Sequence, residues 1–252
     1  MLILYTIYIL CIALPLFIVG TVVATAFTLV GVSFFGAHFW GYWPAHLWSR
    51  FVCFILLLPV KVEGREKICR HTSYVFVANH QSAFDIPLIY GYLDRNFKWM
   101  MKKSLRRLPL IGKACEVSGH VFVDRSGPSK VYETITKAKA VLHDGVSLFV
   151  FPEGARTFTG HMGYFKRGAF QMADDLELAV VPITIDGPFH ILPRTGKLIH
   201  WHRLHMTIHD PIPYEGKGPE HIRHTMDLAY RAIEAGMPPQ YRGMVRNDDQ
   251  DV

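Results

Sequence analysis

No aspartate, glutamate, lysine or arginine occurs in the first 49 residues; the first charged side chain is Arg50. Residues 2–30 form an almost unbroken apolar run, interrupted only by Pro15, Gly20 and scattered threonines. A helix crosses the hydrocarbon core of a bilayer with ~20 such residues, so this run is long enough. It predicts a hydrophobic helical membrane anchor of one or two helices within residues 1–60. Phe39, Trp40, Tyr42, Trp43 and Trp48 follow, ring types that settle at headgroup level. A second apolar run, 51–60, is too short to span and predicts a dipping or interfacial segment. A secretory signal ending at Ala24-Thr25-Ala26 is the alternative. The absent basic n-region and the length of the run count against it.

All 27 basic and 21 acidic residues therefore fall after position 49. The formal charge of +6 becomes +9 once the three aspartates of an acidic tail, 247–252, are set aside. A basic body on an apolar leader points to an anionic membrane surface or a phosphorylated substrate. Nucleic acid is the competing polyanion, but the basic residues are scattered and an anchor does not serve it. Arg50, Lys61, Arg65 and Lys67 flank the apolar segment on one side. By the positive-inside rule they place the body, residues 61–246, on the cytoplasmic face, at the inner membrane in a bacterial cell. Four widely spaced cysteines with no C-x-x-C pair exclude a disulfide framework and fit a reducing compartment. Seventeen Phe, eleven Tyr and five Trp supply a core and exclude disorder.

From residue 73 short apolar runs alternate with helical patterns. Strands are predicted at 73–78, 97–101, 120–123, 147–151 and 179–185. Helices are predicted at 86–93, 130–143, 165–176 and 218–235, the last with Pro219 near its start and Gly236 at its end. Alternation of this kind predicts an α/β fold, a largely parallel or mixed sheet flanked by helices. In such sheets the working residues gather at the carboxyl ends of strands.

Two segments sit at such ends. Asn79-His80-Gln81-Ser82-Ala83-Phe84-Asp85 offers an imidazole able to accept a proton near neutral pH and a carboxylate five positions on to fix its tautomer. Ser82-x-x-Asp85 also reads as a capping box, with His80 a turn residue. Phe151-Pro152-Glu153-Gly154-Ala155-Arg156 combines a glycine that allows close backbone approach with a guanidinium fork suited to phosphate. Glu153 is expected to orient that arginine or to bond a hydroxyl. A polar turn with a surface ion pair is the plainer reading.

Taken together, His-x-x-x-x-Asp and Phe-Pro-Glu-Gly-x-Arg, some seventy residues apart, resemble the glycerolipid acyltransferase family, and within it the 1-acylglycerol-3-phosphate (lysophosphatidic acid) acyltransferases. Lys102-Lys103-Ser104-Leu105 with Gly119 to Arg125, and Val181-Pro182-Ile183, match two further blocks. Ala155 stands where many members carry threonine. The apolar N-terminus is similar to the two-helix anchor of bacterial members. The resemblance implies that His80 is the general base, held by Asp85, and that the acceptor is a lysophospholipid. The donor would be acyl-CoA or acyl-carrier protein. Arg156, Lys102, Lys103 and Arg125 would hold the acceptor phosphate, with Glu153 and Gly154 shaping the pocket. It implies no cofactor and no metal.

Three rivals are weaker. His200, His202, His205 and His209 tempt a metal reading, but no carboxylate is interleaved among them, and a polar edge strand explains them. A lipid hydrolase needs Gly-x-Ser-x-Gly, which is absent. A non-catalytic lipid-binding protein of this fold would not need His80 and Asp85. Within the family the acceptor could instead be another lysolipid, such as a lyso-ornithine lipid.

Overall fold

The computed structural model of the protein describes residues 2–123, 128–142 and 144–243; Arg125, His143 and the acidic tail lie outside them. The apolar N-terminus is one helical rod, Ile3–Phe35. It comprises α1 (Leu2–Tyr8), a π-helical turn (Ile9–Ala13) and α2 (Leu14–Phe35). Pro15 has no N–H to give the Cys11 carbonyl, and the wider turn just before it absorbs the missing bond so that the rod continues. At 1.5 Å per residue it extends for about 50 Å. Only Thr28 and Gly31 of α2 are buried, so the rod offers its apolar surface outward and fits a membrane anchor.

Gly36 ends α2 with φ of 88°. After a single turn, α3 (Ala37–Trp40), helix α4 (Trp43–Ile55) starts on Pro44 and runs back along α2. Trp48 Nε1 donates to Thr21 Oγ1 (3.0 Å), and the Tyr5 and Tyr8 hydroxyls donate to the carbonyls of Leu56 and Ile55 (both 2.8 Å). The opposite face of α4 buries Ser49, Val52 and Cys53 against α5 (Asp85–Tyr92). The two can close because residue 91 is glycine: a Cβ there would stand 3.1 Å from the Arg50 nitrogen. The short apolar run at 51–60 is thus not one interfacial segment. Its first half completes α4, which begins eight residues earlier on the aromatic cluster, and after Pro59 the chain enters a strand, β1 (Val60–Glu63).

The remaining strands are β2 (Val75–Ala78), β3 (Phe97–Lys102), β4 (Val121–Val123), β5 (Ser147–Val150), β6 (Val180–Asp186) and β7 (Leu204–Ile208). They form one sheet in the order β1-β7-β6-β2-β5-β3-β4. Every pairing is parallel except β6 with β7, so the sheet is mixed. Strand β1 is not among the predicted strands, and β7 falls within the expected polar edge strand but pairs on both sides, so that β1 forms the edge. Strand β7 buries Leu204, Met206 and Ile208 and turns His205 outward, whereas His200 and His202 precede it. One face of the sheet packs Phe76, Phe97, Phe149 and Ile183 against α4 and α5. The other packs Val75, Val77 and Leu148 against α7 (Pro128–Val141), α8 (Gly168–Leu176) and α10 (Pro219–Gly236). Cover on both faces explains why β2 and β5 are buried at every position. Helix α6 (Ile111–Val117) lies against α2, and a single turn, α9 (Pro188–Ile191), follows β6.

Candidate active site

Strand β2 stops at Ala78, and the next side chain continues its pairing. Asn79 is buried; its Nδ2 donates to the Ile185 carbonyl and its Oδ1 accepts the Ile185 N–H, both at 2.8 Å. This splint to β6 holds the strand end where His80 emerges. The His80 Nδ1 stands 2.6 Å from Asp85 Oδ2, which also accepts the N–H groups of Gln81 (2.8 Å) and Ser82 (3.0 Å). Three donors on one fully buried oxygen fix the carboxylate as acceptor, so in the neutral ring Nδ1 carries the proton and Nε2 is the nitrogen left to accept one. The capping box forms only in part: Asp85 accepts the Ser82 N–H, but the Ser82 hydroxyl donates to the Leu192 carbonyl (2.7 Å) and α5 has no side-chain N-cap. The orienting reading is the one the geometry carries. The ring lies flat on Phe151, centroids 3.9 Å apart.

Glu153 does neither of the things expected of it. It is 3% exposed and is not part of the cavity wall. Its two oxygens accept the backbone N–H groups of His80 and Gly163, each at 2.7 Å. The Thr157 N–H donates to the His80 carbonyl (2.9 Å), so the Glu153–Thr157 turn grips His80 by both its backbone polar groups. Burial pushes the Glu153 carboxyl up to about 8, against the pull of the two N–H donors; the nearby Asp85 charge adds to the rise. Gly154 takes φ of 77°, a left-handed conformation costly for other residues, and the Lys166 side chain crosses it.

One cavity of about 1310 Å³ joins these parts. His80, Gly154, Arg156, Lys102 and Lys103 all border it. Its interior wall is apolar, including Trp99, Met101, Ile86 and Ala45, and α2 contributes Ala24 and Thr28. At its far end His120 accepts the Trp99 N–H on Nδ1 (3.2 Å) and meets the Tyr90 hydroxyl through Nε2 (3.1 Å). Burial, with the Lys98 charge nearby, pulls His120 down to about 3, so it is a neutral packing imidazole. One wall residue, Arg194, lies outside the motifs. Arg194 lies 4.0 Å over the Phe158 ring and donates to the Arg156 carbonyl (3.1 Å); no local pattern announces it, because it is thirty-eight positions from Arg156. Lys166, which the sequence offers either as a phosphate or membrane contact or as a surface pair with Arg167, is also in the wall.

The four histidines near β7 diverge. His202 stacks on His190 (4.5 Å), His205 meets Glu63 (3.3 Å) and His209 meets Thr184 (2.8 Å). Among the described residues no three His, Cys, Asp or Glu side chains gather as metal ligands.

A histidine–carboxylate pair thus stands at a central strand end of an α/β sheet, beside a cavity lined by apolar and cationic side chains. The chain belongs to the acyltransferase family, whose model matches residues 59–186. It is 35% identical over 170 residues to the chloroplastic 1-acyl-sn-glycerol-3-phosphate acyltransferase of Arabidopsis thaliana, covering 67% of this chain and 47% of that one. It is 29% identical over 202 residues to the 1-acyl-sn-glycerol-3-phosphate acyltransferase of Cocos nucifera, covering 79% and 65%. The chain thus spans between about half and two thirds of the length of these relatives. The crystal structure of the 1-acyl-sn-glycerophosphate acyltransferase PlsC from Thermotoga maritima superposes with a TM-score of 0.74 at 26% identity, covering 97% of this chain and 98% of that one.

Proposed function

We propose that the protein is a membrane-bound 1-acylglycerol-3-phosphate O-acyltransferase, making phosphatidic acid from lysophosphatidic acid and an acyl thioester. The observation that carries this reading is the His80–Asp85 pair, with Nδ1 held by the carboxylate and the ring beside a cavity lined by apolar and cationic side chains. The names of the relatives support the same acceptor. The free hydroxyl of the acceptor gives its proton to His80 Nε2 as its oxygen attacks the thioester carbonyl. The tetrahedral intermediate collapses, the C–S bond breaks, and the thiolate of CoA or acyl-carrier protein takes the proton from the imidazolium. Both substrates are held together, so no acyl-enzyme forms. Arg156, with Lys102, Lys103 and Arg125, holds the acceptor phosphate. Gly154 admits it close to the backbone, and Glu153 acts indirectly through the His80 backbone. The route uses no metal and no cofactor.

Residues 1–60 serve as the anchor, with α4 also packing on the sheet, residues 61–246 as the catalytic body on the cytoplasmic face, and 247–252 as an acidic tail. The test is acyl transfer by purified protein, with a panel of lysolipids and both donors. His80→Ala is expected to lower turnover roughly 100-fold or more with folding retained. A folded variant with a near-normal rate refutes the base assignment, and a preference for a phosphate-free lysolipid refutes the acceptor.

A further inference from the structure

After β3, residues Lys103–Arg107 form a 3-10 turn and Ile111–Val117 form α6, with a tight corner at 108–110 between them. Leu105, Leu108, Leu110 and Ile111 are each between 42% and 60% exposed. Four large apolar side chains within seven residues make a contiguous patch rather than the scattered exposure that soluble surfaces tolerate. The patch is built: Gly112 N–H donates to the Leu108 carbonyl (2.9 Å), and a Cβ at Gly112 would collide with the Arg106 carbonyl. Leu110 holds φ of 61° with its side chain outward, a strained backbone carrying an exposed leucine. Lys102, Lys103, Arg106, Arg107 and Lys113 surround these leucines, against one acid, Glu116, which pairs with Arg106 and Lys113.

Three features of the patch point to what covers it. It adjoins the exposed apolar rod, because α6 packs on α2. Its surplus charge is positive, which favours an anionic partner. It forms the border of the cavity, through Lys103, Ser104, Leu105 and Ile111. We propose that residues 103–113 are a second membrane contact: the leucines insert among acyl chains of an anionic bilayer while the basic ring meets headgroup phosphates. This rests on the membrane reading above and adds to it. The cavity border then sits within the headgroup layer, and an amphiphilic acceptor can enter from the leaflet without passing through water.

The test uses the full chain with exposed Cys11, Cys69 and half-exposed Cys115 replaced by serine. A single Leu110→Cys carries an environment-sensitive fluorophore, and Glu220→Cys, at the start of α10 on the far side of the sheet, is the reference. Protein is reconstituted into phosphatidylcholine vesicles with or without phosphatidylglycerol, some with brominated acyl chains. The label at 110 is expected to shift to the blue and to be quenched by brominated chains; the label at 220 is not. Combined Arg106→Gln, Arg107→Gln and Lys113→Gln changes are expected to diminish the shift in anionic vesicles and leave it in neutral ones. A water-like label at 110 in both vesicles overturns the proposal, as does a blue shift that depends on protein concentration, which assigns the patch to a second copy. The readout needs no turnover, so it fails or succeeds separately from the acyl-transfer assay.

Discussion

Glu153 and Arg156 stand three positions apart on one turn and do different work. Arg156 borders the cavity, where its planar fork can meet a phosphate in a way an ammonium cannot. Arg156→Lys is therefore expected to raise the acceptor KM about 30-fold, the equivalent of ~2 kcal/mol, with the donor KM little changed. Kinetics with each substrate varied in turn checks this; a rise confined to the donor reassigns the residue. Glu153 faces the backbone, and its consequence is a stability profile. Its carboxyl is raised from 4.5 to about 8 in the folded state, so between those values the folded chain binds more proton than the unfolded one. Its contribution to stability accordingly falls as pH rises from about 4.5 through 8. Melting temperatures across that range, in detergent, should show a shallower fall for Glu153→Gln than for the wild type. The variant should also be less stable at low pH, because an amide cannot accept both N–H groups.

At the scale of elements, the contact of α4 with α5 links the apolar leader to the corner that holds His80 and Asp85. Asp85 opens α5, and Gly91 near its end lets α4 approach. Arg50 locks the pair by donating to the Gly91 carbonyl (2.7 Å) and to Asp94 (2.9 Å). Gly91→Leu would drive a branched side chain into the α4 backbone, for an expected loss of ~1–3 kcal/mol. Because α5 carries Asp85, that substitution should also lower turnover without altering either KM in proportion. Thermal melting and initial rates on the same preparation check both halves; an unchanged melt places the helices further apart than described.

At the scale of the molecule, the leader does not divide from the body at a linker. Tyr42, Val52, Cys53 and Ile55 belong to the same apolar cluster as Phe76 and Phe149 of the sheet. The rod before them is mostly exposed, by contrast. Removing residues 2–40 should then release a folded body from membranes, measured by carbonate extraction and limited proteolysis. Removing residues 2–60 should strip cover from one sheet face and give a protease-sensitive, aggregating chain. If the shorter chain stays cooperatively folded, α4 is dispensable to the core.

The apolar N-terminal helix and the alternation of strands and helices were legible because each rests on local chemistry, whereas His80, Asp85, Gly154 and Arg156 were ambiguous read alone and stood out only as two motifs that together resemble a family. A charge-free run and an apolar period are properties of neighbours in the chain. Strand β1 was not legible, since a four-residue segment with two charged side chains is too short to stand out, and only pairing across 144 positions makes it a strand; β7 was read as a polar edge strand, and only that same pairing places it inside the sheet. The same holds for Asn79, whose amide acts on Ile185, and for Arg194, which reaches Arg156 from a later loop. It holds most plainly for Glu153: its motif placed it beside a substrate, and the fold turned it inward to two backbone N–H groups. Tertiary structure decided these because a buried polar atom takes whichever partner the packed chain brings within hydrogen-bond reach, and sequence distance does not enter that choice.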